Sequence, residues 1–191
     1  MSRLDFCKAD RLKFCKDMRK KYPEFPSIEV DIPSFVKVGK NVTIKKGCTI
    51  GTQGFGHERD GNKILHTPHI GGLVIEDDVT IHELTNVSRG TIHDTIIGKG
   101  TKIDVLVHVG HNVKIGRTCL ITSGVVLGGS CQIGDNNWIG MNATIRNWVT
   151  IGNNCVIGMG AVVTKNVPDG QVWAGVPAVY IRDNPGNYNG E

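Results

Sequence analysis

The sequence predicts an all-β solenoid in which three short parallel strands form a triangular coil and successive coils stack. Three observations carry this expectation. An Ile, Val or Leu recurs every six residues from Ile97 to Val163, the position four after each anchor is small or β-branched with one exception, and 25 glycines accompany an aromatic content of only 6%. The anchors are Ile97, Ile103, Val109, Ile115, Ile121, Leu127, Ile133, Ile139, Ile145, Ile151, Ile157 and Val163. These three residue types fill about a quarter of the chain, so an unbroken run of this kind arises by chance about once in ten million. A six-residue period is neither helical nor a simple strand alternation. It fits short strands joined by tight bends, with one large and one small residue turned inward on each side. Three sides make a coil of 18 residues.

The small positions include Thr101, Val107, Cys119, Cys131, Ala143 and Cys155, with Asn137 the polar exception. Four of the six cysteines, Cys48, Cys119, Cys131 and Cys155, take this inward slot and there is no Cys-x-x-Cys pair. They read as buried free thiols. The 22 basic and 18 acidic residues nearly balance, which gives no argument for nucleic acid. No apolar run approaches the ~20 residues that cross a bilayer. The opening MSRLDFCKAD lacks the apolar segment of a signal peptide, so the expected location is cytoplasmic and away from the membrane.

Along the chain, residues 1–27 are expected to form a helical cap. Ser2 and Asp5 make a capping-box pattern, and Leu4, Cys7, Phe14, Cys15 and Met18 an apolar stripe. The cap covers the open first coil, or its lysines dock an acidic partner. Residues 28–176 are the solenoid. Two weaker anchor series, Ile32, Val38, Ile44, Ile50 and then Ile75, Ile81, Val87, precede the main one, and the phase slips near Arg89 and Gly90. Residues 54–69, GFGHERDGNKILHTPH, break the period and read as an excursion from one corner, either a binding element or a tolerated surface loop. Residues 177–191 form a polar tail, fraying past Arg182.

These residues resemble the hexapeptide-repeat acyltransferases, whose coils are left-handed. Residues 50–116 are similar to UDP-3-O-acylglucosamine N-acyltransferases, through GFG at 54–56, TPHIGG, SRG at 88–90, DTIIGKGTKID at 94–104 and LVHVGHNVKIG at 106–116. The departures are that only about 30 residues precede the coils, where that family carries a nucleotide-binding domain, and that Arg146-Asn147-Trp148 replaces a later glycine-histidine. The end, GMGAVVTKNVPDGQVWAGVPAVYIR at 158–182, resembles acetyl-CoA-dependent relatives. The resemblance implies a homotrimer that moves an acetyl group from acetyl-CoA to a nucleotide-linked amino sugar, with no metal. Acyl carrier protein is the alternative donor to coenzyme A.

Acyl transfer to an amine needs a base, a thioester held close and a donor for the oxyanion. His111 matches the family's catalytic histidine, and a histidine titrates in the right range. The 18-residue coil predicts a column His93, His111, Gly129, Asn147, Lys165. It sets Gly129 one coil above His111, and the resemblance implies that its N–H is the oxyanion donor; His93, Asp94 and Asn112 are candidate supporting residues. Asp104, Arg89 and His69 are candidate substrate contacts. Asn147, Lys165 and Arg182, with backbone groups of Gly158 and Ala161, are candidate coenzyme contacts; Lys165 and Arg182 equally read as solvated charges. A zinc site using His108 and His111, and a non-catalytic scaffold, are the competing readings.

Overall fold

The structure, a computed structural model, describes residues 13, 16–18, 20–21 and 26–186. Residues 13, 16–18 and 20–21 are helical; the expected capping box at Ser2 and Asp5 lies outside the described residues. From Val36 the chain winds through six coils whose strands form three parallel sheets. The first sheet holds Val36–Val38, Leu73–Ile75, Thr95–Ile97, Lys114–Ile115, Gln132–Ile133 and Thr150–Ile151. The second begins at Thr43–Ile44 and runs through Lys102–Ile103 to Val156–Ile157, and the third begins at Thr49–Thr52 and runs through His108–Val109 to Val162–Val163.

Register explains both the regular part and its interruptions. Val36 pairs with Leu73, Leu73 with Thr95, and Ile97 with Ile115, so the steps between coils are 37, then 22, then 18 residues. The 18-residue step continues through Ile115 with Ile133 and Ile145 with Val163. The two long steps come from insertions at a single corner, where the third sheet returns to the first. Residues 53–72 form the first insertion and include a hairpin, His57–Asp60 against Lys63–His66. Residues 89–94 form the second, and this is the phase slip near Arg89. A corner tolerates extra residues because no ladder bond crosses it.

All twelve anchors from Ile97 to Val163 are buried, and so are the small positions between them. Each coil contributes three large and three small inward side chains, enough to fill a narrow triangle without aromatic residues. Asn137 fits this dry slot because every polar atom of its side chain is used. Its Nδ2 donates to Gly134 O and Gly152 O at 2.9 and 2.7 Å, and its Oδ1 accepts from Cys155 N at 2.6 Å. The four inward cysteines are free and buried.

Order extends past the expected boundary of the solenoid. Gln171–Ala174 adds to the second sheet, and Val179–Asp183 pairs with it antiparallel after a reversal at Gly175. The segment expected as tail therefore opens with an edge strand.

Replacing Asn137 with Ala leaves Gly152 O and Cys155 N–H without these partners and Gly134 O with only the Cys119 thiol. We expect a loss of about 3 kcal/mol in stability, measured by denaturant unfolding, with the coils intact by circular dichroism.

Candidate active site

His111 stands at the return corner of the third coil, two residues after the buried anchor Val109. One coil above it is Gly129. A Cβ built on Gly129 would lie 2.6 Å from His111 Nε2 and 2.8 Å from Cε1, so only glycine lets the imidazole lie over this backbone. The neighbouring first-sheet corner shows what is special here. There the equivalent N–H groups are capped: Arg117 N–H by Asp135 Oδ1 at 2.7 Å, Asp135 N–H by Asn153 Oδ1 and Asn153 N–H by Asp169 Oδ1, both at 2.8 Å. Among the described residues, Gly129 N–H donates to nothing, while Gly128 N–H and Ser130 N–H on either side are bonded to Ile145 O and His111 O. The corner thus presents a free backbone donor next to an imidazole nitrogen.

The other ring nitrogen is held by neutral dipoles. Asn112 Nδ2 lies 3.0 Å and Thr91 Oγ1 3.3 Å from His111 Nδ1. The Asn112 amide is oriented by Thr91 N–H, which donates to its Oδ1 at 2.7 Å. The Thr91 hydroxyl accepts from an Nδ1–H and the Asn112 amide donates to a bare Nδ1, so both neutral tautomers keep one ring orientation. Burial lowers the His111 pKa from the ordinary 6.5, and charge on His69 or His108 pushes it the same way. The imidazole is therefore neutral, the form a base needs, at pH 7.

A groove of about 490 Å³ opens along this corner, lined by Gln53, Gly54, Phe55, His108, His111, Gly129 and Asn147 among others. The predicted column holds upward from His111 through Gly129 to Asn147. It fails below His111, because the step there is 22 residues rather than 18. His93 is exposed, and Asp94 Oδ1 accepts from Gly72 N–H at 2.7 Å instead of holding His111. Thr91, supplied by the insertion, takes that orienting place. Asn112 supports the ring as expected.

The other predicted residues are placed differently. Arg89 donates to Gly71 O at 2.7 Å and Ile70 O at 3.2 Å and stacks on Phe35 at 3.6 Å, so it staples the excursion to the first sheet. Asp104 follows a strand of the second sheet and accepts from Val105 N–H at 2.8 Å. It lies beside a separate groove with His82, Lys102 and Trp138, so one chain does not bring it to His111. His69 is 2% exposed, packed behind Gly54 rather than lining the groove. Ala161 is buried, and its N–H donates to Gly158 O while Gly158 N–H donates to Trp173 O, so neither offers a free amide. Lys165 and Arg182 are exposed. Among the described residues no group of three or more His, Cys, Asp or Glu is placed to hold a metal ion.

The neutral cradle has a measurable consequence. In proton NMR titrations the His111 ring takes its proton below pH 6.5. Asn112→Asp, which sets a carboxylate beside Nδ1, raises that midpoint by about one unit or more. A wild-type midpoint at or above 6.5 contradicts this account of the site.

Comparison with known proteins agrees with the repeat and the fold. The family model described as bacterial transferase hexapeptide (six repeats) matches residues 94–129 and 130–165. A UDP-3-O-acylglucosamine N-acyltransferase of Caulobacter vibrioides is 55% identical over 144 residues, 75% of this chain and 42% of that protein. One from Methylorubrum populi is 39% identical over 145 residues, 76% of this chain and 41% of that protein. The chain thus spans about two fifths of the length of these relatives. Among solved structures, a UDP-N-acetylglucosamine O-acyltransferase from Moraxella catarrhalis superposes with a TM-score of 0.71 at 24% identity, over 78% of this chain and 57% of that one. An N-acyltransferase from Bacillus cereus superposes with a TM-score of 0.61 at 18% identity, over 78% of this chain and 84% of that one. Residues 94–165 match the hexapeptide-repeat family model, and the fold is that of these solved acyltransferases.

Proposed function

We propose that this protein is an acyltransferase that moves an acyl group, preferentially acetyl from acetyl-CoA, onto the amine of a nucleotide-linked amino sugar. The observation that carries the reading is the pair formed by a neutral imidazole and an uncapped backbone donor, His111 over Gly129 N–H, at the wall of a groove. The amine loses a proton to His111 as it attacks the thioester carbonyl. The oxyanion is held by Gly129 N–H. Collapse breaks the C–S bond, and His111 returns a proton to the departing sulfur. The names of the relatives, UDP-3-O-acylglucosamine N-acyltransferase, support an amino sugar on a nucleotide as acceptor.

The donor has two readings. The C-terminal segment at 158–182 and the Arg146-Asn147-Trp148 corner, which lacks a histidine, favour coenzyme A. The 55% identity to an N-acyltransferase whose name specifies an acylated glucosamine favours a longer chain carried by acyl carrier protein. The cytoplasm is the compartment proposed for either donor. We further propose that the active form is a homotrimer with the groove between neighbouring chains. Leu84, Leu106, Val126 and Met141 leave apolar surface exposed near the third sheet, and Leu84 and Leu106 are held there at positive φ. Exposed apolar stripes of this kind are covered in assemblies.

His111→Ala is expected to lower turnover by about 10²- to 10⁴-fold, with the assembly unchanged in sedimentation. Unchanged turnover removes His111 from the chemistry. Calorimetry with coenzyme A and with acyl carrier protein separates the two donors, and we expect coenzyme A to bind.

A further inference from the structure

The excursion hairpin sorts its side chains by sign. In an antiparallel pair, opposite residues share a face, and neighbours along a strand alternate between faces. The register sets His57 opposite His66 and Arg59 opposite Ile64 on one face. Glu58 opposite Leu65 and Asp60 opposite Lys63 form the other. The ring centroids of His57 and His66 are 5.3 Å apart, as a shared face requires. Phe55 joins this first face, because its ring centroid lies 4.5 Å from that of His57. Both carboxylates of the hairpin are therefore on the second face. The first holds a guanidinium, two imidazoles and two apolar side chains, and no acid.

Folding does not account for the first face. Every residue of both strands is exposed. Phe55 is 89% exposed although it lines the groove beside His111. Arg59 has no ion pair among the described residues, whereas Arg89 is spent on Gly71 O and Ile70 O. The hairpin is nevertheless fixed at its base. Gln53 Oε1 accepts from His69 N–H at 2.9 Å, Gln53 Nε2 donates to His69 O at 3.3 Å, and Thr67 N–H donates to Gly56 O at 2.9 Å. Gly54 lies against His111, where a Cβ would be 2.9 Å from the ring Cδ2. The face thus starts at the groove wall and has a set position relative to His111.

We propose that this face is the acceptor subsite, taking the hexose of a nucleotide-linked sugar on Phe55 and its diphosphate on His57, His66 and Arg59. This rests on the acyl-transfer reading. The order of groups along the hairpin is the order of groups along such a substrate. With the amine at His111, the hexose reaches Phe55, whose ring face takes a surface of C–H bonds. Two residues further, a rise of about 7 Å in a strand, imidazole N–H groups meet the diphosphate. Two residues beyond them, the Arg59 guanidinium presents the fork that matches phosphate oxygens. Coenzyme A also carries a diphosphate, and position separates the two sources. The excursion enters from the coils below His111, whereas Gly129, which the thioester carbonyl must reach, lies in the coil above. The donor therefore comes from the Gly129 side and the acceptor from the hairpin side.

Calorimetry with UDP and with dTDP tests the diphosphate contacts without turnover. Both are expected to bind, since the face reads the diphosphate and not the base. Arg59→Gln weakens both by about tenfold or more and leaves coenzyme A binding unchanged. Lys63→Gln removes the same charge from the opposite face of the same hairpin and leaves nucleotide binding unchanged. Equal weakening by the two variants marks a diffuse charge effect, and weakening of coenzyme A in place of the nucleotides marks a donor site. Either result overturns the proposal, as does a wild type that binds neither nucleotide. In turnover of UDP-3-O-acylglucosamine with acetyl-CoA, Phe55→Ala raises KM for the sugar about tenfold and leaves kcat and the KM of acetyl-CoA within about twofold. A lower kcat with the sugar's KM unchanged overturns the hexose contact. The two claims fail separately. If the protein binds UDP through Arg59 but transfers no acyl group from acetyl-CoA or acyl carrier protein, the acyl-transfer reading fails while the diphosphate contact holds. If transfer proceeds and Arg59→Gln binds UDP as the wild type does, only the subsite fails.

Discussion

Everything in this molecule depends on the parallel backbone ladder that repeats at one coil. Each strand residue bonds to its counterpart in the next coil, Lys102 beside Leu120, His108 beside Val126, Lys114 beside Gln132. A slip of one residue would turn every Ile and Val anchor outward, so burial locks the register. With the register locked, positions one coil apart must be neighbours. His111 and Gly129 meet because the ladder leaves them no alternative, and the imidazole needs no long-range contact of its own to be placed.

The same ladder explains why the candidate site sits at a corner. Strand N–H and C=O groups are consumed between coils, and the inward side chains are sealed. Burial pushes the thiols of Cys119 and Cys131 up to about 11, which keeps them inert. Corners alone have spare backbone groups and room for extra residues. One corner spends its N–H groups on a column of Asp and Asn caps. The return corner instead carries both insertions, His111 and the uncapped Gly129. The insertions supply what the regular repeat cannot: Thr91 at Nδ1 of His111, and His69 with Gly54 against its ring.

The repeating part was legible because periodicity repeats the same physical requirement every six residues. The anchors, the inward cysteines and the pairing of His111 with Gly129 and Asn147 all follow from counting. The irregular part was not legible by counting. A four-residue insertion changes the step from 18 to 22, which removes His93 from the column and brings in Thr91. Arg89 is diverted to carbonyls of the excursion, and Asp104 belongs to a different corner. The hairpin carried its own signal: Asp60 pairs with Lys63 across Gly61-Asn62, a two-residue turn sequence. Nothing in the sequence indicated that the excursion would fold back to bury His69.

The most direct measurement is a crystal structure of the protein with a thioester analogue whose sulfur is replaced by methylene, bound in the groove. The account predicts the analogue's carbonyl oxygen about 3 Å from Gly129 N, with His111 Nε2 facing the carbon that the amine attacks. A carbonyl bound away from Gly129, or a His111 ring turned so that Nε2 points from the groove, contradicts it.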